Sequence, residues 1–262
     1  MRILKKLTLI LPVSAVLLLL FYNLYIKPRH VIPILMYHAV SFKQDDTLHV
    51  NPENFSKQIE FLNRGGYSVI SLDELIRGIE TRKKFPSKTV VITFDDGFEN
   101  NFLYAFPVLA KYNMPATIFL ITDYMGTHDG YLNWDQINLM AENNIDFGGH
   151  TRSNVYLPSL NNAEKLWDEV SGCRFDIEKE TEVEVKYFCY PIGGFNEKVK
   201  NAVKKAGYKA ACTTNRGFDR YNRDIYELKR VKITNSDEVK PLHFRAKLSG
   251  YYNLFRSQKN GD

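Results

Sequence analysis

From residue 31 onward, short apolar runs of strand length alternate with longer amphipathic segments, and this alternation restricts the chain to few folds. The pattern predicts strands over 32–37, 67–71, 89–94, 116–121, 145–148, 185–190, 208–213 and 228–233. Helices are expected from Pro52 to the Gly65-Gly66 pair, after Ser71, and over 99–112, 134–143, 162–179 and 196–206. Pro52 suits a first helical position, with Phe55, Ile59 and Phe61-Leu62 forming the apolar face, and Ser71 with Glu74 reads as a capping box. Strand and helix in alternation imply an α/β fold with a parallel sheet and outer helices. About seven or eight such units favour a distorted (β/α) barrel of about seven parallel strands over an open sheet. No repeat, low-complexity stretch or second linker interrupts residues 31–262, which read as one domain. The longest irregular segment, 38–51, is polar and a candidate active-site loop.

The first thirty residues are of another kind. Leu7 to Ile26 is almost wholly apolar, and twenty helical residues span roughly 30 Å, the thickness of a bilayer's hydrocarbon core. Arg2, Lys5 and Lys6 precede the run, which by the positive-inside rule sends the remainder outward. A cleaved signal peptide has the same charge order, but Phe21 to Ile26 is too bulky for a small-residue cleavage site. Residues 1–30 are therefore expected to be one N-terminal transmembrane helix and a juxtamembrane link, with the domain on the extracytoplasmic side.

This tail also explains the charge. The net charge is +5 and the sequence pI about 8.9, yet residues 1–30 hold five basic and no acidic residues, so the remaining chain is balanced. The clustered basic field that nucleic acid requires is absent. Cys173, Cys189 and Cys212 are an odd set without Cys-x-x-Cys spacing, which argues against a zinc ribbon and against a disulfide scaffold. Cys189 and Cys212 read as small buried hydrophobes, with one disulfide left open.

Chemistry concentrates at Thr93-Phe94-Asp95-Asp96-Gly97, directly after Val90-Val91-Ile92. Two carboxylates at the end of a buried strand are costly unless they are paired or bound to a cation. In parallel α/β folds the carboxyl ends of strands are where active sites collect. After the next strands comes Gly148-Gly149-His150-Thr151-Arg152-Ser153-Asn154. If a helical turn follows, His150 and Asn154 lie at i and i+4 on one face and can close on one metal ion.

With Pro33-Ile34-Leu35-Met36-Tyr37-His38 and Tyr190-Pro191-Ile192-Gly193, these motifs resemble the polysaccharide deacetylases of the NodB-homology class, carbohydrate esterase family 4. Their order is similar to the circularly permuted branch acting on exported poly-N-acetylglucosamine, in which the late histidine comes first. The resemblance covers roughly residues 31–250. It implies metal-dependent hydrolysis of N-acetyl groups from a cell-surface or exported polysaccharide, with zinc the foremost metal and cobalt, nickel or manganese as alternatives. It implies Asp95 as general base, His38 as the acid for the departing amine, and Asp96 and His150 as metal ligands. Ile192 would offer its backbone N–H to the oxyanion, with Tyr190 beside the substrate. Polysaccharide export machinery is the expected partner besides the membrane.

Two departures stand out. Position 154 is Asn where the family pattern has a second His, so Asn154 would complete the metal set through a weaker, neutral oxygen. Cys189 stands where the pattern has Arg, so an arginine elsewhere must orient Asp95; Arg230, at the end of a predicted strand, is the candidate, a surface charge being the plain alternative. Trp134 is the candidate for stacking on a sugar. Two other functions compete. A non-catalytic glycan binder could have lost its metal through Asn154, and a nucleotide-sugar glycosyltransferase would use Asp95 and Asp96 but leave His38 and His150 unexplained.

Overall fold

The computed structural model describes residues 14–43, 47–214, 216–217, 219, 221–239 and 241–255. Its strands are β1 (Ile34–Tyr37), β2 (Ala39–Val40), β3 (His49–Val50), β4 (Ser68–Val69), β5 (Thr89–Phe94), β6 (Ala116–Leu120), β7 (Ile145–Gly149), β8 (Tyr187–Cys189), β9 (Ala210–Thr213), β10 (Leu228–Lys229) and β11 (Val231–Lys232). The main sheet is wholly parallel in the order β10-β9-β8-β7-β6-β5-β1-β11, with β4 against β5.

The segment expected as one strand over 228–233 is broken at Arg230. Leu228 and Lys229 pair with Cys212 and Thr213 of β9, whereas Val231 and Lys232 pair with Leu35 and Met36 of β1. One short stretch thus bridges the two ends of the sheet and closes a barrel of seven positions. The expected strand over 67–71 shortens to β4, a side branch outside this ring.

Alternation along the strands divides the core into two layers. Leu35, Val90, Ile92, Ile118, Phe188 and Ala211 face outward, beneath the helices. Ile34, Val91, Phe119, Tyr187, Cys189, Cys212 and Leu228 form the other cluster, inside the barrel, closed at one end by Ile70, Leu72, Leu75 and Ile76. Period-two burial on both faces is why these strands read as continuous apolar runs.

The helices begin where their caps are. Asn51 accepts from Glu53 N–H ahead of Pro52–Arg64, whose Phe55, Ile59 and Leu62 are buried. Ser71 accepts from Glu74 N–H, but the Glu74 carboxylate pairs with Lys83 instead of returning to the cap, so only half of the expected box forms. The complete capping box is Asn133 with Gln136, opening the helix Trp134–Ala141. The helix expected over 99–112 contains a π turn, Asn101–Ala105, before Phe106–Lys111. The one expected over 162–179 is split by a second π turn at Asp168–Gly172. Such turns insert a residue into the helical ladder, often near functional sites.

Of the expected membrane span, residues 7–13 lie outside the described residues. Residues 14–21 are helical, followed by a π turn at Tyr22–Ile26 and a 3₁₀ turn at Lys27–Arg29. Among the described residues no helix is long and apolar enough to cross a membrane. The large apolar side chains from Val16 to Leu20, with Leu24, are nevertheless exposed. The three cysteines are free and buried, so the disulfide left open by the sequence does not form.

Phe119 fills the barrel interior directly below the Arg230 guanidinium, 5.6 Å from its ring centre. Phe119→Ala should lower the unfolding free energy by about 3–5 kcal/mol in urea titration, because the closed ring restricts collapse around the void.

Candidate active site

At the carboxyl ends of the barrel strands an open cavity of about 440 Å³ is lined by Met36 and His38 from the β1 end, Asp95 and Asp96 from β5, and His150 and Asn154 beyond β7. Tyr190, Ile192 and Gly193 follow β8, Thr214 follows β9, and Arg230 and Lys232 come from the closing segment. Eight of the nine residues singled out by the sequence meet here. The exception is Trp134, which packs half-buried against the outer core at the start of its helix and does not line the cavity. The capping box of Asn133 and Gln136 sets it at the first position of that helix.

Alternation places Val91, Thr93 and Asp95 toward the barrel axis. Asp95 is 3% exposed and needs a counter-charge, which Arg230 supplies bidentately: Nη1 donates to Oδ1 and Nη2 to Oδ2, each at 2.6 Å. Such a fork matches carboxylate geometry. Arg230, 1% exposed, is itself held by bonds from Nε to Thr213 O and from Nη1 to Thr93 Oγ1, both 3.1 Å. Its Nη2 also lies 3.0 Å from Cys189 Sγ. The thiol occupies the wall position while the guanidinium arrives from across the barrel. Burial by itself would disfavour an ionised Asp95, but the charge and hydrogen bonds of Arg230 outweigh it and hold the carboxyl well below the usual range.

Asp96 turns the other way. Its φ of 74° lies in the left-handed region, which aspartate tolerates better than most residues. That backbone turn brings Oδ1 to 3.5 Å from His150 Nε2. His150 Nδ1 donates to Cys189 O at 2.8 Å, so the ring is oriented with Nε2 toward Asp96. Residues 150–154 form no helical turn, contrary to the expected i, i+4 arrangement. Thr151 and Asn154 both have positive φ, 66° and 59°, and Asn154 lines the cavity from an irregular loop.

His38 Nε2 lies 3.8 Å from Asp95 Oδ2 on the opposite flank. Its carbonyl accepts from Asn101 Nδ2 at 2.8 Å, and its Nδ1 is buried without a hydrogen-bond partner among the described residues. Burial depresses its pKa more than Asp95 and Asp96 raise it. Ile192 holds a φ of 58°, strained for a β-branched residue, and is 65% exposed at the cavity. Gly193 after it also has positive φ, and a Cβ there would press on Thr214.

Asp95, His150 and Cys189 could also be read as a metal set, since one donor atom of each lies within 4.8 Å of the others. The Arg230 guanidinium contacts two of the three, and burial raises the Cys189 thiol above its ordinary value. A cation among them would face a fixed positive charge. Among the described residues, His150 Nε2 and Asp96 Oδ1 have no ion pair with an arginine or lysine.

A polysaccharide deacetylase family model matches residues 82–211. The Bacillus subtilis (strain 168) protein YxkH, whose name places it among the polysaccharide deacetylases, is 32% identical over 208 residues, covering 79% of this chain and 73% of that protein. The chain belongs to the polysaccharide deacetylase family. The poly-β-1,6-N-acetyl-D-glucosamine N-deacetylase of Staphylococcus epidermidis is 29% identical over 209 residues, 74% of this chain and 71% of that protein. Among solved structures, the Streptococcus pyogenes deacetylase PplD in complex with acetate superposes with a TM-score of 0.76 at 26% identity, over 83% of this chain and 97% of that one. The Bacillus cereus polysaccharide deacetylase BC0361 gives 0.70 at 30% identity, over 83% and 68%. The chain is accordingly an amide-bond hydrolase of the polysaccharide deacetylase kind.

Sequence reasoning missed Thr93, Thr213 and Lys232. For two of them the signal was parity, Thr93 lying two residues before Asp95 and Lys232 two after Arg230, while Thr213 holds Arg230 through its backbone carbonyl and leaves no side-chain signal.

The Asp95–Arg230 pair sets a pH dependence. Because the folded pKa of Asp95 is depressed, its contribution to stability is complete above the unfolded value of about 3.9 and is lost as pH falls through the folded value. Arg230→Met leaves a buried carboxylate unpaired and should cost about 3–5 kcal/mol at neutral pH. Urea unfolding across acidic pH should then show the opposite trend for Asp95 in the variant, whose loss diminishes as the carboxyl protonates.

Proposed function

We propose that the protein removes N-acetyl groups from amino sugars of a cell-surface or exported polysaccharide, with a divalent cation held by Asp96, His150 and Asn154. The observation that carries this reading is the division of labour between adjacent carboxylates, Asp95 locked to Arg230 and Asp96 turned to Nε2 of His150. His150 is a fitting ligand because Nδ1 is committed to a carbonyl, and Asp96 is a fitting one because among the described residues it makes no ion pair with an arginine. The Asn154 oxygen suits zinc less than imidazole does, which leaves cobalt, nickel and manganese as alternatives.

Such a cation would polarise the acetyl carbonyl and lower the pKa of a water beside it. Asp95, kept ionised and aimed by Arg230, accepts a proton from the attacking water. The strong hold of Arg230 weakens Asp95 as a base, so fixed orientation is what it contributes most. The Ile192 N–H would stabilise the oxyanion, a role supported by the residue's position on the cavity wall. As the carbon–nitrogen bond breaks, His38 supplies the proton to the departing amine; its lowered pKa makes the protonated form a stronger acid but leaves the ring mostly neutral at neutral pH, so His38 must take up a proton before this step. Acetate and a free amino sugar result. The acetate in the Streptococcus pyogenes relative and the substrate in the name of the Staphylococcus epidermidis relative support this choice.

For location, the exposed apolar side chains ahead of the barrel support an N-terminal membrane anchor. Arg29 Nε donates to Tyr221 Oη at 3.2 Å, and β1 runs from this side toward His38, so the cavity would open on the face away from the bilayer. Delivery of substrate by export machinery fits that arrangement. A glycan-binding role without catalysis is the second reading, favoured by Asn154 alone.

Asp95→Asn should reduce acetate release from poly-N-acetylglucosamine or chitooligosaccharides by about 100- to 10,000-fold at matched folded fraction, as loss of a general base does. Unchanged turnover would remove Asp95 as the base. Asn154→His should tighten zinc binding, measured by competition with a chromophoric chelator, by about tenfold or more. A wild-type protein that retains acetate release after exhaustive chelation would contradict the metal-dependent reading.

A further inference from the structure

The loop carrying Asn154 is held neither by helix nor by strand, and two of its residues sit in the left-handed region. Thr151 is buried, and its Oγ1 accepts from Asn154 N–H at 3.0 Å. The middle of the loop hangs on Glu169. Its Oε2 accepts from the backbone N–H groups of both Arg152 and Ser153, each at 3.0 Å, and its Oε1 accepts from Ser153 Oγ. Glu169 is 5% exposed and comes from the π turn at Asp168–Gly172, an insertion that rotates it toward the loop. The nearby Arg152 guanidinium does not neutralise it but donates to Asp168 and Asp176. Burying a carboxylate against amide dipoles and one hydroxyl is costly, and what those bonds specify is the path of residues 152 and 153 between His150 and Asn154.

We propose that Glu169 is a positioning residue of the metal site, fixing the Arg152 and Ser153 amides so that the Asn154 side chain meets the cation beside Asp96 and His150. This rests on the metal site proposed above. Nothing in the sequence pattern points to residue 169, which acts from a separate helix through the backbone. Without it, Thr151 and Arg152 keep their carbonyl bonds from Thr122 and Asp123 and Asn154 N–H keeps Thr151 Oγ1, but the amides of residues 152 and 153 are released and the third donor drifts.

The test is cobalt(II) titration of the full chain, followed by visible absorption, with amide hydrogen exchange read over residues 151–154. Glu169→Ala is expected to weaken cobalt binding by about 10- to 100-fold and to expose the two amides to exchange. Glu169→Gln, whose carbonyl oxygen can still accept from both amides, stays near wild type, while Glu169→Asp, a methylene too short, weakens binding despite keeping the charge. Glu169→Ala placed on Asn154→Ala should add no further loss, since both act through one ligand. Unchanged affinity in Glu169→Ala, an additive loss in the double variant, or the reverse order with Asp near wild type and Gln impaired would overturn the assignment. A wild-type chain that binds no cobalt would sink the metal site itself, a result distinguishable from an unchanged Glu169→Ala in a cobalt-binding protein.

Discussion

Asp95 and Arg230 meet in the mouth of the barrel as a buried, bidentate ion pair, and much of the surrounding structure exists to make that contact tolerable. Buried charges cost several kcal/mol each unless geometry and remaining hydrogen bonds are nearly complete. Here Thr213 O and Thr93 Oγ1 take further guanidinium hydrogens, and the Phe119 ring lies beneath. The segment bearing Arg230 joins β9 on one side and β1 on the other, breaking at the arginine itself. Closure of the barrel and orientation of Asp95 are therefore one event.

The same pair accounts for how two neighbouring carboxylates share a strand end. Mutual repulsion would raise the pKa of one of them if both faced the same space. The left-handed backbone at Asp96 sends its side chain away from Asp95 toward His150, leaving one carboxylate to an arginine and the other beside an imidazole. His150 is oriented from behind by the carbonyl of Cys189, the residue whose thiol also touches Arg230. Candidate base, candidate metal ligand and barrel wall thus meet at β8, and a change of bulk at Cys189 would be felt by all three.

Much of the site was legible in the sequence because each catalytic candidate ends a strand, and strand ends in a parallel barrel converge by construction. His38, Asp95, Asp96, His150, Tyr190, Ile192 and Arg230 share the cavity for that reason. Trp134 was misplaced because a tryptophan opening a helix gives no sign of whether its ring faces the cleft or the outer core. The helical turn expected after His150 failed because Thr151 and Asn154 adopt left-handed backbone on either side of residues 152 and 153, whose amides are held by a buried carboxylate from another helix. Non-local bonds of that kind leave no periodicity behind.

Hydrophobic alternation and the spacing of strand and helix by themselves determined a parallel barrel with polar residues at one end, because burial period and element length are local properties of the chain. The partners of those polar residues were decided only in three dimensions. Which arginine meets Asp95, which way Asp96 turns, and what holds Asn154 depend on groups brought together by ring closure, from 135 residues apart for Arg230 and Asp95. Electrostatic satisfaction of a buried charge is settled by whatever donor the fold delivers, and a linear pattern records the need for it without naming the donor.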